Sequence, residues 1–130
     1  MKYFLLIYVV AVILFFLLSH EVQAKTSLRT VKCDESKMIE IFVRPNFGTI
    51  INFSVKPDNV VLGSQKQFGI EYIKNDIVLT ALSSNSNTNL FVYLLGRRCG
   101  FHLITSSQQQ DNLIQVRDSD DSKLKVPFHE

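Results

Sequence analysis

The stretch Asn89-Leu-Phe-Val-Tyr-Leu-Leu95 is followed by Gly96-Arg97-Arg98 and then by Cys99-Gly-Phe-His-Leu-Ile-Thr105. Its two longer runs are apolar and contain several β-branched and aromatic residues, which favour extended structure. The glycine and the two arginines between them are typical of a tight connection. The stretch therefore predicts two strands that follow each other directly, and it contains no helical periodicity.

Segments of the same kind occur on both sides of this stretch. Residues 38–43, 49–55 and 68–73 alternate apolar with polar or smaller side chains, and shorter apolar runs occupy 60–62, 77–82 and 113–116. Proline, glycine, asparagine and serine separate these runs, as expected for turns. Roughly six to eight short strands at such spacing are typical of an all-β sandwich or barrel. We predict a small antiparallel β-sandwich, immunoglobulin-like in architecture.

The alternation also predicts which side chains face the core. Five apolar residues occupy alternate positions on their own strands, which side chains of one face share. We therefore expect them to share the interior of the sandwich: Phe53, Leu90, Val92, Phe101 and Leu103.

The N-terminal residues have the pattern of an export signal. Lys2 is followed by sixteen residues, 3–18, whose only polar groups are two tyrosine hydroxyls. Val22 and Ala24 then occupy the −3 and −1 positions of a cleavage site for small residues. We expect residues 1–24 to be a signal peptide cleaved after Ala24, which would place the mature chain in the periplasm.

The alternative reading of this segment is an uncleaved membrane anchor. Sixteen helical residues extend only about 24 Å, against about 30 Å for the hydrocarbon core of a bilayer. That shortfall favours cleavage. The rest of the chain then divides into a β-sandwich domain at 25–116 and a polar tail at 117–130, which we expect to be solvated and disordered.

Export changes how Cys33 and Cys99 are interpreted. In an oxidising compartment, two cysteines in one small domain favour a disulfide over a metal site or a redox centre. Closing a loop of this length would stabilise the fold by about 4 kcal/mol in the chain-entropy model. The alternative is a pair of separate buried thiols. Sequence alone does not say whether the two strands are neighbours, so both readings stay open.

Composition excludes several classes of function. The formal charge of +2 is too small for a protein built to neutralise phosphates, so no nucleic-acid partner is expected. There is no glycine-rich phosphate loop and no motif of a metalloprotease or serine hydrolase, so we expect neither an enzyme nor a cofactor. His102 is better read as a strand residue than as a general base. The acidic residues 118, 120 and 121 lack the spacing of a calcium loop.

The order of these segments resembles the N-terminal domain of the TrbG/CagX family, the VirB-type outer-membrane core subunits of type IV secretion systems. The most specific match is the strand Thr88-Asn-Leu-Phe-Val92, followed by Arg97-Arg-Cys-Gly-Phe-His-Leu103. Earlier matches are a short strand with an acidic turn at 28–34, the strand at 38–43 and the stretch Phe47-Gly-Thr-Ile-Ile-Asn-Phe53. The resemblance covers about residues 28–105. It departs at Gly63-Ser64, where the family usually has glycine followed by aspartate.

The resemblance implies a non-enzymatic periplasmic structural subunit. Its expected partners are other core subunits of a secretion or conjugal transfer complex, including further copies of itself or a full-length paralogue. The family's C-terminal domain has no counterpart in residues 106–130, so the resemblance implies a truncated copy that meets the outer membrane only through partners. We expect contacts at sheet edges, at 28–32 or 113–116. The alternative function is a stand-alone exported binding module, an inhibitor or decoy of assembly.

Overall fold

The computed structural model of the chain describes residues 1–18 and 28–117. The segment that contains Ala24 and the residues 118–130 therefore lie outside the described part, and so do the predictions made for them. Helix α1 spans Lys2–Leu18, and no helix among the described residues is long and apolar enough to cross a membrane. The strands in the described part are β1 Leu28–Lys32, β2 Met38–Val43, β3 Gly48–Phe53, β4 Asn59–Leu62, β5 Phe68–Ile73, β6 Asp76–Ala81, β7 Asn87–Leu94, β8 Arg97–Thr105 and β9 Leu113–Arg117.

The strands form two packed sheets, as the alternation predicted. One sheet has five strands in the order β1-β9-β3-β6-β5, and the other has four in the order β2-β8-β7-β4. The all-β sandwich is thus confirmed. Nine strands are present in the described residues, slightly more than expected, and β9 continues to Arg117, which the sequence analysis had assigned to the polar tail.

The sheets are mixed, so the predicted antiparallel pairing holds for only some of the strand pairs. β9 runs parallel to both of its neighbours, β1 and β3, and β2 runs parallel to β8. The remaining pairs are antiparallel. Two strands joined by a tight turn within one sheet must be antiparallel. The chain instead changes sheet after β1, β2 and β3, so their neighbours come from distant parts of the sequence and can run in either direction.

Two tight hairpins supply the local antiparallel pairs. The β7–β8 turn consists of Leu95 and Gly96, with φ of 52° and 72°, which is the left-handed conformation that a two-residue hairpin of this type requires. Arg97 and Arg98, which the sequence placed in the connection, are the first residues of β8. In the β5–β6 hairpin, Lys74 takes the positive φ of 56°.

The core lies between the two sheets and contains every residue predicted for it. Phe53, Leu90, Val92, Phe101 and Leu103 are all at most 1% exposed. The rings of Phe53 on β3 and Phe101 on β8 meet edge to face, with centroids 6.2 Å apart and planes at 80°. Aromatic pairs prefer this geometry, and here it joins one sheet to the other at the centre of the sandwich.

The predicted sheet edges are half right. β1 is an edge strand, but β9 lies between β1 and β3, so residues 113–116 are not available at an edge. The reason is that β9 pairs with the N-terminal strand on one side and with β3 on the other. The four edges of the sandwich are β1 and β5 in one sheet and β2 and β4 in the other.

Candidate interaction surface

The two cysteines form a disulfide that joins the sheets. Cys33 follows β1 in the five-stranded sheet, Cys99 lies on β8 in the four-stranded sheet, and their Cα atoms are 5.4 Å apart. Both residues are buried. The N–H of Cys33 also donates to the carbonyl of Arg117 at 3.0 Å, which continues the pairing of β1 with β9. The bridge therefore anchors the N-terminal edge strand to the opposite sheet.

The loop after Cys33 is held against β8 as well. The carboxylate of Glu35 accepts a hydrogen bond from the N–H of Arg98 at 3.0 Å. The hydroxyl and the N–H of Ser36 both donate to the carboxylate of Asp34. These two bonds, the one from the hydroxyl more than the one from the N–H, hold the pKa of Asp34 below its ordinary value. A depression of about 660 Å³ borders this loop, and residues of both charge signs line it.

The free edge of β2 is covered by Asp111 and Arg29. Asp111 precedes β9, and its Oδ2 accepts the N–H of Phe42 at 2.9 Å, while its own N–H donates to the carbonyl of Phe42 at 2.9 Å. Arg29 on β1 donates from Nη2 to the same Oδ2 at 2.9 Å and to the carbonyl of Glu40 at 2.5 Å. These groups occupy the backbone positions that a further strand would need. Asp111 was not predicted from the sequence, because an isolated aspartate in a polar loop has no distinguishing pattern.

The side of the sandwich formed by β4 and β5 is different. These two edge strands belong to different sheets, and an open groove of about 330 Å³ lies between them, with Val60 of β4 and Tyr72 of β5 in its lining. Tyr72 is 59% exposed and Ile73 beside it is 52% exposed. No backbone hydrogen bond to the outer side of β5 is present among the described residues. This side offers unpaired backbone groups next to apolar side chains.

The outer face of the five-stranded sheet carries a row of apolar residues. Leu28, Leu113, Ile50 and Val78 are aligned by the register across β1, β9, β3 and β6. Leu28 and Leu113 are exposed, and a shallow groove of about 330 Å³ runs beside this row. The row is flanked by polar residues, which is a common arrangement at protein contact surfaces.

Two further residues singled out by the sequence, His102 and Arg98, lie on β8. His102 lies opposite Glu40 and Asn89 in the four-stranded sheet. Arg98 places its guanidinium over the ring of Phe91, 5.9 Å from the ring centre. Among the described residues, no group of three or more histidine, cysteine, aspartate or glutamate side chains could hold a metal ion. The surface features that stand out are therefore edges and apolar rows.

Comparison with known proteins identifies no family for the chain. None of the models of known protein families matches it, and a search of curated proteins finds no significant match. The interpretation of the surface accordingly depends on the residues and the geometry described above.

Proposed function

We propose that this protein is a non-enzymatic structural subunit of the core complex of a type IV secretion system, a periplasmic paralogue of the TrbG/CagX subunits. It would assemble with neighbouring subunits through a sheet edge and adjoining surface patches. The observation that carries the proposal is the contrast between two edges. The edge of β2 is covered by Arg29 and Asp111, whereas β5 exposes its backbone beside an open groove that Val60 and Tyr72 line together with charged residues. Coverage of one edge and exposure of another favours a directed contact over general adhesion.

The resemblance to that family supports the same proposal. The two segments most specific to that family are Thr88–Val92 on β7 and the stretch after Arg97 on β8. They pair directly with each other in the register of the two strands. A two-sheet domain stabilised by an inter-sheet disulfide would suit an oxidising periplasm. The exposed row on the five-stranded sheet would supply a second contact patch, and rings require two non-identical patches on each subunit.

Co-purification tests the proposal. The tagged full-length chain would be produced in its native cell, envelopes would be cross-linked, and the outer-membrane secretion complex would be isolated. We expect the chain in that complex. Tyr72→Lys, which adds a charge at the β5 edge, should reduce its recovery, while Tyr93→Lys is the matched control, because exposed Tyr93 lies on β7, an inner strand of its sheet.

Two outcomes would contradict the proposal. One is a chain that is abundant in the envelope yet absent from the isolated complex, and the other is equal recovery of the Tyr72→Lys and Tyr93→Lys variants. If overproduction of the chain instead lowers the yield of the assembled complex, the protein acts as the alternative, an exported inhibitor or decoy.

A further inference from the structure

The hydrogen bonds between β5 and β6 determine which backbone groups of β5 point away from β6, toward the free edge. Leu82 donates to the carbonyl of Gln67 at 2.9 Å, and the register of β5 with β6 continues from that pair. In an antiparallel pair, alternate residues bond to the partner and the others point away from it. The N–H and C=O groups of Phe68, Ile70 and Tyr72 therefore point to the free side. Their side chains face the core side, with Phe68 buried and Tyr72 at the groove.

The other edges are less suited to an added strand. β4 has only four residues, and the N–H of Val60 already donates to the side chain of Asn59 at 2.8 Å. β2 is covered as described above. β1 carries the exposed residue Lys32, which would repel a partner strand that is itself rich in lysine. β5 is six residues long, and it carries an exposed acid, Glu71, that has no ion pair within the described part of the chain.

Residues 123–128 of this chain have a sequence that fits this edge. They read Lys123-Leu-Lys-Val-Pro-Phe128, in which three apolar residues alternate with others. Aligned antiparallel with β5, the segment would place Leu124 opposite Tyr72, Val126 opposite Ile70 and Phe128 opposite Phe68. Residues directly opposite each other share a face of the sheet, so all three would extend the core side. Leu124 would enter the groove beside Tyr72.

The same alignment explains the other residues of the segment. Lys125 falls opposite Glu71 on the outer face, where opposite charges on facing residues stabilise a strand pair. Pro127 falls opposite Gly69, at a position whose N–H would point away from β5. Proline lacks that N–H, so it is tolerated there and would also prevent a further strand from adding.

The segment cannot easily reach β5 of its own molecule. β5 lies three strand positions from β9, and a strand added to its free edge would lie at the fourth position. The end of β9 would then be about 19 Å from the added strand. The six Cα steps from Arg117 to Lys123 extend at most about 22 Å. The straight path is blocked by the β5–β6 turn, where Asn75 accepts the N–H of Phe53 at 3.0 Å. A route around this turn is longer than the straight path, whereas β5 of a second copy is not restricted in this way.

We propose that residues 123–128 of one copy add as an antiparallel strand to β5 of the next copy. This contact is head-to-tail, since the segment and the edge are different surfaces, and such contacts build rings or filaments. The inference rests on the proposed function, because it names the self-contact by which the subunit would assemble.

Cysteine pairing tests the register of the contact. The protein with Glu71→Cys is mixed with the protein carrying Lys125→Cys and oxidised gently, and the products are mapped by mass spectrometry. Residues 71 and 125 would form a pair without mutual hydrogen bonds, whose Cα atoms lie about 4.5 Å apart. We expect a covalent dimer joined between these positions. The matched control, Glu71→Cys mixed with Asp120→Cys, should give several-fold less. Equal yields in both mixtures would overturn the proposal. A single chain that carries both Glu71→Cys and Lys125→Cys is a second test, and the formation of an internally cross-linked monomer would also overturn the proposal.

Charge exchange tests the same contact without cross-linking. Glu71→Lys should weaken self-association about fivefold, measured by analytical ultracentrifugation, because it sets like charges opposite each other. Association should be restored when the Glu71→Lys protein is mixed with the Lys125→Glu protein. It should also be restored in a single chain that carries both substitutions. Leu124→Pro removes an N–H that would face β5 and should abolish association, whereas Lys123→Pro removes one that points away.

The outcomes separate this inference from the proposed function. A protein that stays monomeric at all concentrations, or whose association is insensitive to Glu71→Lys and Leu124→Pro, overturns the inference. If that protein still co-purifies with the secretion complex, the proposed function stands and only the self-contact is wrong.

Discussion

Arg29 and Asp111 are 82 positions apart in the chain, yet Nη2 of Arg29 donates to Oδ2 of Asp111 at 2.9 Å. The same carboxylate oxygen accepts the N–H of Phe42, and the hydroxyl of Thr49 donates to the carbonyl of Asp111 at 2.6 Å. One aspartate thus joins β1, β2 and β3, which lie in both sheets. It stabilises the fold and covers the β2 edge at the same time.

Replacing this carboxylate should therefore destabilise the protein. Asp111→Ala should lower the free energy of unfolding by about 2 kcal/mol, because two hydrogen bonds to a charged acceptor are lost. Urea denaturation measures the change. Glu40→Ala is the matched control, since Arg29 contacts the carbonyl of Glu40 and not its exposed side chain. The control should change stability by less than about 0.5 kcal/mol. Equal effects from the two substitutions would contradict this role of Asp111.

The disulfide between Cys33 and Cys99 should contribute measurably to stability. The sequence separation of 66 residues corresponds to about 4 kcal/mol in the chain-entropy model. We expect a reducing agent to lower the urea midpoint of the native protein. The double variant Cys33→Ser with Cys99→Ser should be less stable and insensitive to the reducing agent. Alkylation of the native protein before reduction should label no cysteine, and labelling of both would contradict the bridge.

The aromatic pair at the centre should dominate core stability. Phe53→Ala removes a ring that is 1% exposed and packs on Phe101, so it should cost about 3–5 kcal/mol. For a domain of this size that is a large part of the total stability. Phe47→Ala is the matched control, because that ring is 48% exposed in the preceding turn. Thermal unfolding should show a large decrease in Tm for the first variant and a small one for the second.

Export with cleavage after Ala24 is a separate prediction. The small residues Val22 and Ala24 after an apolar run of sixteen residues favour removal of residues 1–24. N-terminal sequencing of the native protein should begin at Lys25. Ala24→Asp should block processing, because a charged side chain does not fit the −1 position, and the uncleaved form should accumulate. A native protein that retains Met1 in the membrane fraction would support the anchor instead.

Local alternation in the sequence predicts the strands and their inward faces well. Phe53, Leu90 and Val92 were assigned to the core by their immediate neighbours, because side chains alternate between the two faces of every strand. The tight β7–β8 connection was also visible, although the turn itself is Leu95-Gly96. For the candidate interaction surface, the sequence predicted only that sheet edges would be involved. It identified β1 as an edge and did not single out β5.

The neighbours of each strand were decided by the tertiary structure alone. Nothing in residues 113–116 indicates that β9 inserts between β1 and β3, parallel to both, and this insertion removes it from the edge. The disulfide likewise depends on two sheets approaching until the Cα atoms of Cys33 and Cys99 are 5.4 Å apart. The sequence by itself determined an all-β sandwich, because burial and alternation are local properties of each strand. Strand order, the covered β2 edge and the open β5 edge arise from contacts between residues far apart in the chain, which only the folded packing can select.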